Sequence, residues 1–401
     1  MVAGRVKTEV EMKGVQAEPA GETMFAVGMK RAEKGVHGFM LPVPKIETPT
    51  QVLVRIRSVG LDGTDFSMVE HDKKDIAAGR EEIIIGHEMM GVVEEVGRKV
   101  TKFRPGDAVT ITVRRGCGIC WPCKQGQSDY CLTGQFKERG LHKLDGFLTK
   151  YCVEEEENVV KLLPGTEKFG ILVEPLSIAE KAVEQVRLVQ SRTHPSCGHP
   201  SHAWNTDHWG NCKTALVIGV GTLGCLTAAM LRMNGVTTFA TARTSEDSFR
   251  VKVLRRLGCD YMPVDDRGEG IERVVERCQQ DRHLDIIIEA AGASELALSV
   301  IPYMSRSSVY VLTGIPRGQQ LATMDTNRLL RHIVRYNQAV VGSVNSNRTH
   351  FEKAVDDIHR INEKFGNILE SYVTTRFPLS EYKKAFAYED RNSIKIAVDI
   401  D

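Results

Sequence analysis

Hydrophobic positions fall into two textures along the chain. Between about residues 25 and 160 they form short β-type runs, QVLVRIRSVG, EEIIIG, MGVVEEVG and DAVTITV, broken repeatedly by Gly and Pro, as at Arg104-Pro105-Gly106-Asp107. Short strands bounded by turns predict a barrel-like β domain. Between about 213 and 344, TALVIG, TTFATA, DIIIEA, SSVYVLTG and QAVVGSV read as buried parallel strands with helical segments between them. Beyond Asn345 a helical stretch precedes IKIAVDI, a strand expected to return to the first domain. The apolar run 215–231 invites a membrane reading. However, Gly219, Gly221 and Gly224 cut it early and Arg232 closes it, so a strand, turn and helix explain it better. The expected plan is a polar extension at 1–24, a first domain of 25–189 and 345–401, a spacer at 190–212 and a second domain at 213–344.

Composition narrows the function without choosing it. Fifty-three basic against fifty-two acidic residues leave a net charge of +1, with no footprint for nucleic acid or an anionic membrane. The N-terminal stretch lacks the apolar core of a secretory signal. Of ten cysteines, four crowd into residues 117–131, which favours metal ligation over disulfides and a cytoplasmic setting.

Three patterns carry chemistry. Gly219-Val220-Gly221-Thr222-Leu223-Gly224 follows a predicted strand and opens a predicted helix, the context that a dinucleotide fingerprint needs. There Gly219 permits the tight turn, Gly221 lets backbone approach a pyrophosphate, and Gly224 allows close helix–strand packing. Nothing acidic lies between Gly224 and Glu246, whereas Arg243 follows the second strand, where a guanidinium pairs well with a 2′-phosphate. NADP is therefore favoured over NAD, with dual use open.

Cys117, Cys120, Cys123 and Cys131 give C-x2-C-x2-C-x7-C, four thiolates able to close a structural zinc shell. An iron–sulfur cluster uses similar spacing, but the β-rich surroundings and a second set of metal-ligating residues argue against it. That second set is dispersed. Asp62, His87 and Glu174 offer three ligands, with Glu88 additional or alternating; singly, each also reads as a turn Asp, a bonded core His or a surface Glu. The spacer adds His194, Cys197, His199, His202, His208 and Cys212. A further metal site is one reading; no established spacing supports it, and a surface insertion between domains is preferred.

At these residues the chain resembles the zinc-containing medium-chain dehydrogenase/reductase superfamily, and within it the archaeal-type glucose dehydrogenases. GLDGTD, IIGHEMMGVVEEVG, RRGCGICWPC, FKERGLHKLDGF, LVEPLSIAEKA, GVGTLG and VGSVNS followed by His350-Phe351 carry the likeness over nearly the whole chain. It implies an α/β fold, with a GroES-like β-rich catalytic domain joined to a Rossmann domain of doubly wound parallel sheet and the active site between them. It implies a catalytic zinc held by Asp62, His87 and Glu174, with Glu88 beside it. Thr64, Glu138, Glu174 and Asn345 would contact the sugar, and Thr64 would relay its proton. Residues Val220 to Leu223 would hold the pyrophosphate, Ala242, Arg243 and Thr244 the adenosine phosphate, and Leu312, Thr313, Gly314, Ser343, Val344 and Asn345 the nicotinamide end. The implied reaction is oxidation of an aldose at C1 by NADP or NAD with two zinc ions per chain, in a homotetramer formed by sheet continuation.

Three positions depart from the pattern. Asp62 stands where most of the superfamily has Cys, giving a harder ligand and a more labile metal. Thr244 replaces a second arginine at the 2′-phosphate, and Ile178 replaces an acidic sugar contact. A polyol or alcohol dehydrogenase is the nearest alternative, and a non-catalytic dinucleotide-binding structural or sensory protein the alternative of another class.

Overall fold

A computed structural model describes residues 22–400 apart from 196, 266–269, 281–282, 318–320, 322 and 389–392. Most of the expected N-terminal extension lies outside the described residues.

The first domain is built on a seven-stranded sheet whose centre is Gln51–Leu61, the longest strand. It alternates half-exposed and buried positions up to Ile56, then buries Val59, Gly60 and Leu61 in succession. Glu88–Val96 pairs antiparallel with it, bringing Gly60 opposite Glu88. On its other side lies Lys395–Asp399, paired antiparallel with Ile396 opposite Leu61. IKIAVDI therefore does return to the first domain, and its place in the sheet puts Lys395 within the site described below. A three-stranded sheet, His37–Pro42, Thr23–Lys30 and Glu82–Ile84, covers one side of this core, which contains Met29, Ile56, Met89 and Phe147.

The second domain holds six parallel strands in the order Asp260–Pro263, Thr237–Ala242, Thr214–Ile218, Leu284–Glu289, Val309–Leu312, Ala339–Gly342. Strand order reverses direction beside Thr214–Ile218, the crevice where open α/β sheets bind ligands. Asp260–Pro263 was not among the expected strands. It is an edge strand with only Tyr261 buried, and it ends at Pro263, so it shows neither a buried run nor sustained alternation. The stretch 215–231 is a strand followed by the helix Thr222–Met233, and no helix among the described residues is long and apolar enough to cross a membrane.

Two long helices join the domains. Val173–Gln190 packs against Arg348–Lys364 and Thr222–Met233, so one core runs from Leu172 and Leu176 through Leu226 and Ile286 to Phe351. Glu174 sits in the first turn of the former helix, at the seam between domains.

Candidate active site

The helix Gly63–Glu70 begins where the central strand ends, and Asp62 caps it. Asp62 Oδ1 accepts the backbone N–H of Thr64 at 2.7 Å and of Asp65 at 3.0 Å. Asp65 Oδ2 in turn accepts the Asp62 N–H at 3.1 Å, completing a capping box. One carboxylate oxygen is thereby committed to the backbone. The other, Oδ2, accepts the Thr64 hydroxyl at 3.1 Å and lies 3.8 Å from His87 Nε2. A thiolate, with one sulfur, could not divide these tasks.

His87 is almost wholly buried, and its Nδ1 faces Asp65 Oδ1 at 3.5 Å, just beyond hydrogen-bond geometry. Burial opposes a charge on the ring, but Asp65 and Asp62 outweigh it and raise the imidazole pKa well above its ordinary value. The carboxylate behind Nδ1 directs the proton there and leaves Nε2 as an electron-pair donor. Asp65 was not singled out in the sequence; the D-G-T-D spacing of a capping box was the signal available. Asp65→Asn is expected to lower zinc affinity and turnover about 10–100-fold, read by zinc retention against a competing chelator and by kcat. Unchanged retention would remove this role from Asp65.

Glu88, 1% exposed, receives Lys395 Nζ at 2.5 Å, and the same ammonium donates to the Leu61 carbonyl at 3.2 Å. Burial raises the Glu88 carboxyl to about 6 against the pull of Lys395. Glu174 is raised further, to about 8, by burial together with Glu88 and Asp62, although His87 draws it down. One donor atom each from Asp62, His87 and Glu88 lies within 4.8 Å of the others, and Glu174 does not join that group. An imidazole nitrogen beside carboxylate oxygens, with acids held up by burial and by one another's charge, is the arrangement a dication would relieve. The donor set fits zinc.

The strand Lys137–Arg139 brings in Glu138, and beyond it Gly140 packs on the Gly86 carbonyl next to His87; a Cβ at Gly140 would come within 2.6 Å of that oxygen. Arg114 holds Glu138 Oε1 through Nε at 2.9 Å and Nη2 at 2.8 Å. From the turn that follows the strand Ala339–Gly342, Asn345 Nδ2 donates to the same oxygen at 2.5 Å. Asn345 has φ 58°, a left-handed conformation that Asn tolerates better than most residues. Lys181 Nζ anchors the preceding Val344 carbonyl at 3.0 Å, and Ser346 Oγ meets Ser177 Oγ at 2.7 Å. His350 caps the following helix through Asn347 and binds Glu184 at 2.9 Å. Glu138 and Asn345, more than two hundred residues apart, thus meet at the seam. Thr64 lies exposed on the helix that Asp62 caps.

In the second domain Gly219 has φ 102°, and a Cβ on Gly224 would come within 1.9 Å of the Gly219 carbonyl oxygen. Gly221 differs: its Cβ would meet nothing within 4 Å, so only an approaching ligand would feel it. It is also the N-cap of Thr222–Met233, with no side-chain cap on the first turn. An uncapped helix start beside an open backbone fits a pyrophosphate. The Thr222 hydroxyl is engaged by the Ile394 carbonyl. Arg243 lies exposed just past Thr237–Ala242, and Glu246, the first acid after Gly224 along the chain, is paired with Arg255 at 2.7 Å. Tyr261 braces this turn, its hydroxyl donating to the Ala242 carbonyl at 2.9 Å and to the Thr244 carbonyl at 2.5 Å. At the other end of the crevice the Thr313 N–H binds the Glu289 carbonyl at 2.9 Å, and the Ser343 N–H binds that of Leu312 at 2.9 Å. Ser343 Oγ is buried without a partner, which fits a polar group of a bound cofactor.

Cys117, Cys120, Cys123 and Cys131 converge within 4.8 Å in a lobe formed by Arg114–Arg115, Trp121–Lys124 and Ser128–Tyr130. The Cys120 N–H points to Cys117 Sγ at 3.4 Å. Four sulfurs with no fifth donor suit a closed structural ion. The spacer, expected as a surface insertion, has exposed and half-buried Cys and His residues that come together. Cys197, His199, His202 and Cys212 also gather within 4.8 Å, whereas His194 and His208 stay apart from that group.

Two family models match in tandem: the alcohol dehydrogenase GroES-like domain over residues 48–165 and the glucose dehydrogenase C-terminus over 167–400. A glucose 1-dehydrogenase of Methanocella arvoryzae is 35% identical over 353 residues, 87% of this chain and 92% of that protein. One from Halobacterium salinarum is 32% identical over 381 residues, 94% of this chain and 99% of that protein. Among solved structures, Haloferax mediterranei glucose dehydrogenase in complex with NADP, Zn and gluconolactone superposes with a TM-score of 0.81 at 29% identity, covering 94% of this chain and 99% of that one.

Proposed function

Because the chain belongs to the archaeal glucose dehydrogenase type of zinc-containing medium-chain dehydrogenases, we propose that it is a glucose 1-dehydrogenase, oxidising D-glucose and related aldoses such as D-galactose at C1 with NADP. The observation that carries the substrate class is the Glu138–Asn345 pair. Two hydrogen-bonding side chains, 207 residues apart in sequence, meet there, Glu138 lying two residues before the glycine that packs on Gly86 next to His87. An alcohol without further hydroxyls would have no use for them.

Asp62, His87 and Glu88 hold the catalytic ion, with Glu174 completing or exchanging in the shell. Zinc would supply Lewis acidity toward the anomeric hydroxyl, and the nicotinamide would accept hydride. The chain's own part is positioning and proton handling. Glu138 and Asn345 exchange their mutual bond for ring hydroxyls, and Arg114 keeps the Glu138 carboxyl turned inward, so that C1 is presented in one orientation. The Thr64 hydroxyl, bonded to Asp62 Oδ2 and exposed on its other side, carries the released proton toward solvent. Gly221 and the uncapped helix start seat the pyrophosphate, Arg243 the 2′-phosphate, and Ser343 the nicotinamide end.

Initial rates on aldoses, polyols and ethanol with NADP and NAD, with and without chelator, test the reading. Aldose oxidation that produces NADPH and stops on chelation is expected; a preference for polyols or ethanol would move the enzyme to the alternative activity, and no turnover would favour a non-catalytic protein. Arg243→Ala is expected to lower kcat/KM for NADP about 10–150-fold, the loss of one or two charge-assisted bonds, while NAD is unaffected.

A homo-oligomer formed through the second domain belongs to the same proposal, with a cytoplasmic setting that suits ten cysteines of which none forms a disulfide. Ala339–Gly342 is a sheet edge, and the adjacent helix Thr326–Arg335 buries no residue while leaving Leu330 59% and Val334 77% exposed. Sedimentation equilibrium is expected to return a tetramer mass; a monomer would show that this edge stays open.

A further inference from the structure

The spacer joins the helix that carries Glu174 to the strand that leads into Gly219. In the sequence its cysteines and histidines follow C-x-H-x2-H-x9-C, which matches no familiar zinc pattern. In space Cys197 Sγ lies 3.3 Å from His202 Nδ1, and Cys212 Sγ lies 3.9 Å from His199 Nδ1. The two imidazoles meet edge to face, with centroids 4.8 Å apart. A tetrahedral zinc with bonds of about 2.3 Å to sulfur and 2.0–2.1 Å to nitrogen sets neighbouring ligand atoms roughly 3.3–3.8 Å apart. The two sulfur–nitrogen pairs straddle that spacing before any ion draws them in.

We propose that Cys197, His199, His202 and Cys212 bind a zinc ion, separate from the catalytic and four-cysteine sites, that fastens the linker between the two domains. Two thiolates and two imidazoles complete a tetrahedron and leave no open position, so the ion is structural. The donor set, sulfur and nitrogen without carboxylate, selects zinc over magnesium or calcium. The chain is shaped for the meeting. Trp209, fully buried and covered by the Arg187 guanidinium at 4.6 Å, pins the stretch between His202 and Cys212 into the common core. Cys212 itself is held at φ 62°, a conformation uncommon outside glycine, which turns its side chain back before the strand Thr214–Ile218 begins. Cys197 and His202 are half-buried, whereas His199 and Cys212 are exposed, so the ion closes the outer side of the loop.

Zinc content of the purified enzyme, measured by mass spectrometry against protein concentration, tests this directly. The double variant Cys197→Ser/Cys212→Ser is expected to hold one zinc fewer per chain than wild type, to keep its glucose turnover and NADP affinity, and to unfold at lower temperature. Equal zinc contents would overturn the proposal. Should that variant fail to fold, alkylation of the native enzyme followed by peptide mapping decides. Cys197 and Cys212 are expected to resist alkylation until a chelator exposes both together. Labelling of Cys212 in the zinc-loaded enzyme, or a Cys197–Cys212 disulfide in unreduced peptides, would overturn it equally.

Discussion

His87→Ala is expected to reduce kcat for aldose oxidation by on the order of 10³–10⁴-fold, the several kcal/mol that a Lewis acid contributes to such a step. The dissociation constant for NADP should stay close to that of wild type. The reason is spatial: His87 lies on the first domain with Asp62, Asp65 and Glu88, and the residues proposed to hold the cofactor belong to the second. Removing the imidazole also takes one donor from the cluster of Asp62, His87 and Glu88, so the variant should retain less zinc at its catalytic site. Fluorescence titration with NADPH separates the two effects. Substantial turnover in the zinc-depleted variant would contradict the assignment, and a collapse of cofactor binding would show that the domains are coupled more tightly than the geometry suggests.

Glu154→Gln should cost about 3–5 kcal/mol of stability, because it leaves two buried guanidinium groups without their shared counter-charge. Glu154 is 5% exposed and receives Arg139 Nε at 3.0 Å and Nη2 at 2.8 Å, with Arg115 Nε at 3.1 Å and its Nη2 as further donors. Burial alone would raise this carboxyl, but the two arginines prevail and hold it at about 2. A folded-state value below that of the unfolded chain contributes stability that is complete above the ordinary carboxylate range and disappears as pH falls through about 2. Wild type should therefore lose stability on acidification through this window, whereas Glu154→Gln should show a smaller dependence there. Denaturant unfolding across pH measures both. Identical profiles would mean that the arginines find other partners. Since Arg139 follows Glu138 and Arg115 precedes the four-cysteine lobe, the variant should also weaken sugar binding.

What could be read from the sequence was local or carried by resemblance. Gly219, Gly221 and Gly224 declared themselves through spacing between a strand and a helix, and the four cysteines of the lobe through proximity along the chain. Asp62, His87, Glu174, Glu138 and Asn345 are scattered and were legible only by resemblance. Lys395, Tyr261 and Glu154 act through contacts whose partners are set by sheet pairing, such as Gly60 opposite Glu88 and Ile396 opposite Leu61, and no short-range pattern announces them. The edge strand Asp260–Pro263 lacked periodicity because one side of it has no neighbour. Cys197, His199, His202 and Cys212 follow no established spacing along the chain, and the fold of the loop around buried Trp209 is what brings them within 4.8 Å of one another. Spacing rules, which assume a fixed hairpin or knuckle, do not cover that case.

The pairing of Glu88 with Lys395 spans 307 residues, and it has a consequence for the order in which the protein can be made. As the polypeptide leaves the ribosome, the six-stranded sheet from Thr214 to Gly342 is contiguous and can condense as soon as it is out. The earlier-synthesised domain cannot finish: its central strand waits for Lys395–Asp399, and Glu88 waits for its counter-ion. Nascent chains stalled before residue 395 should thus bind dinucleotide before they can turn over sugar.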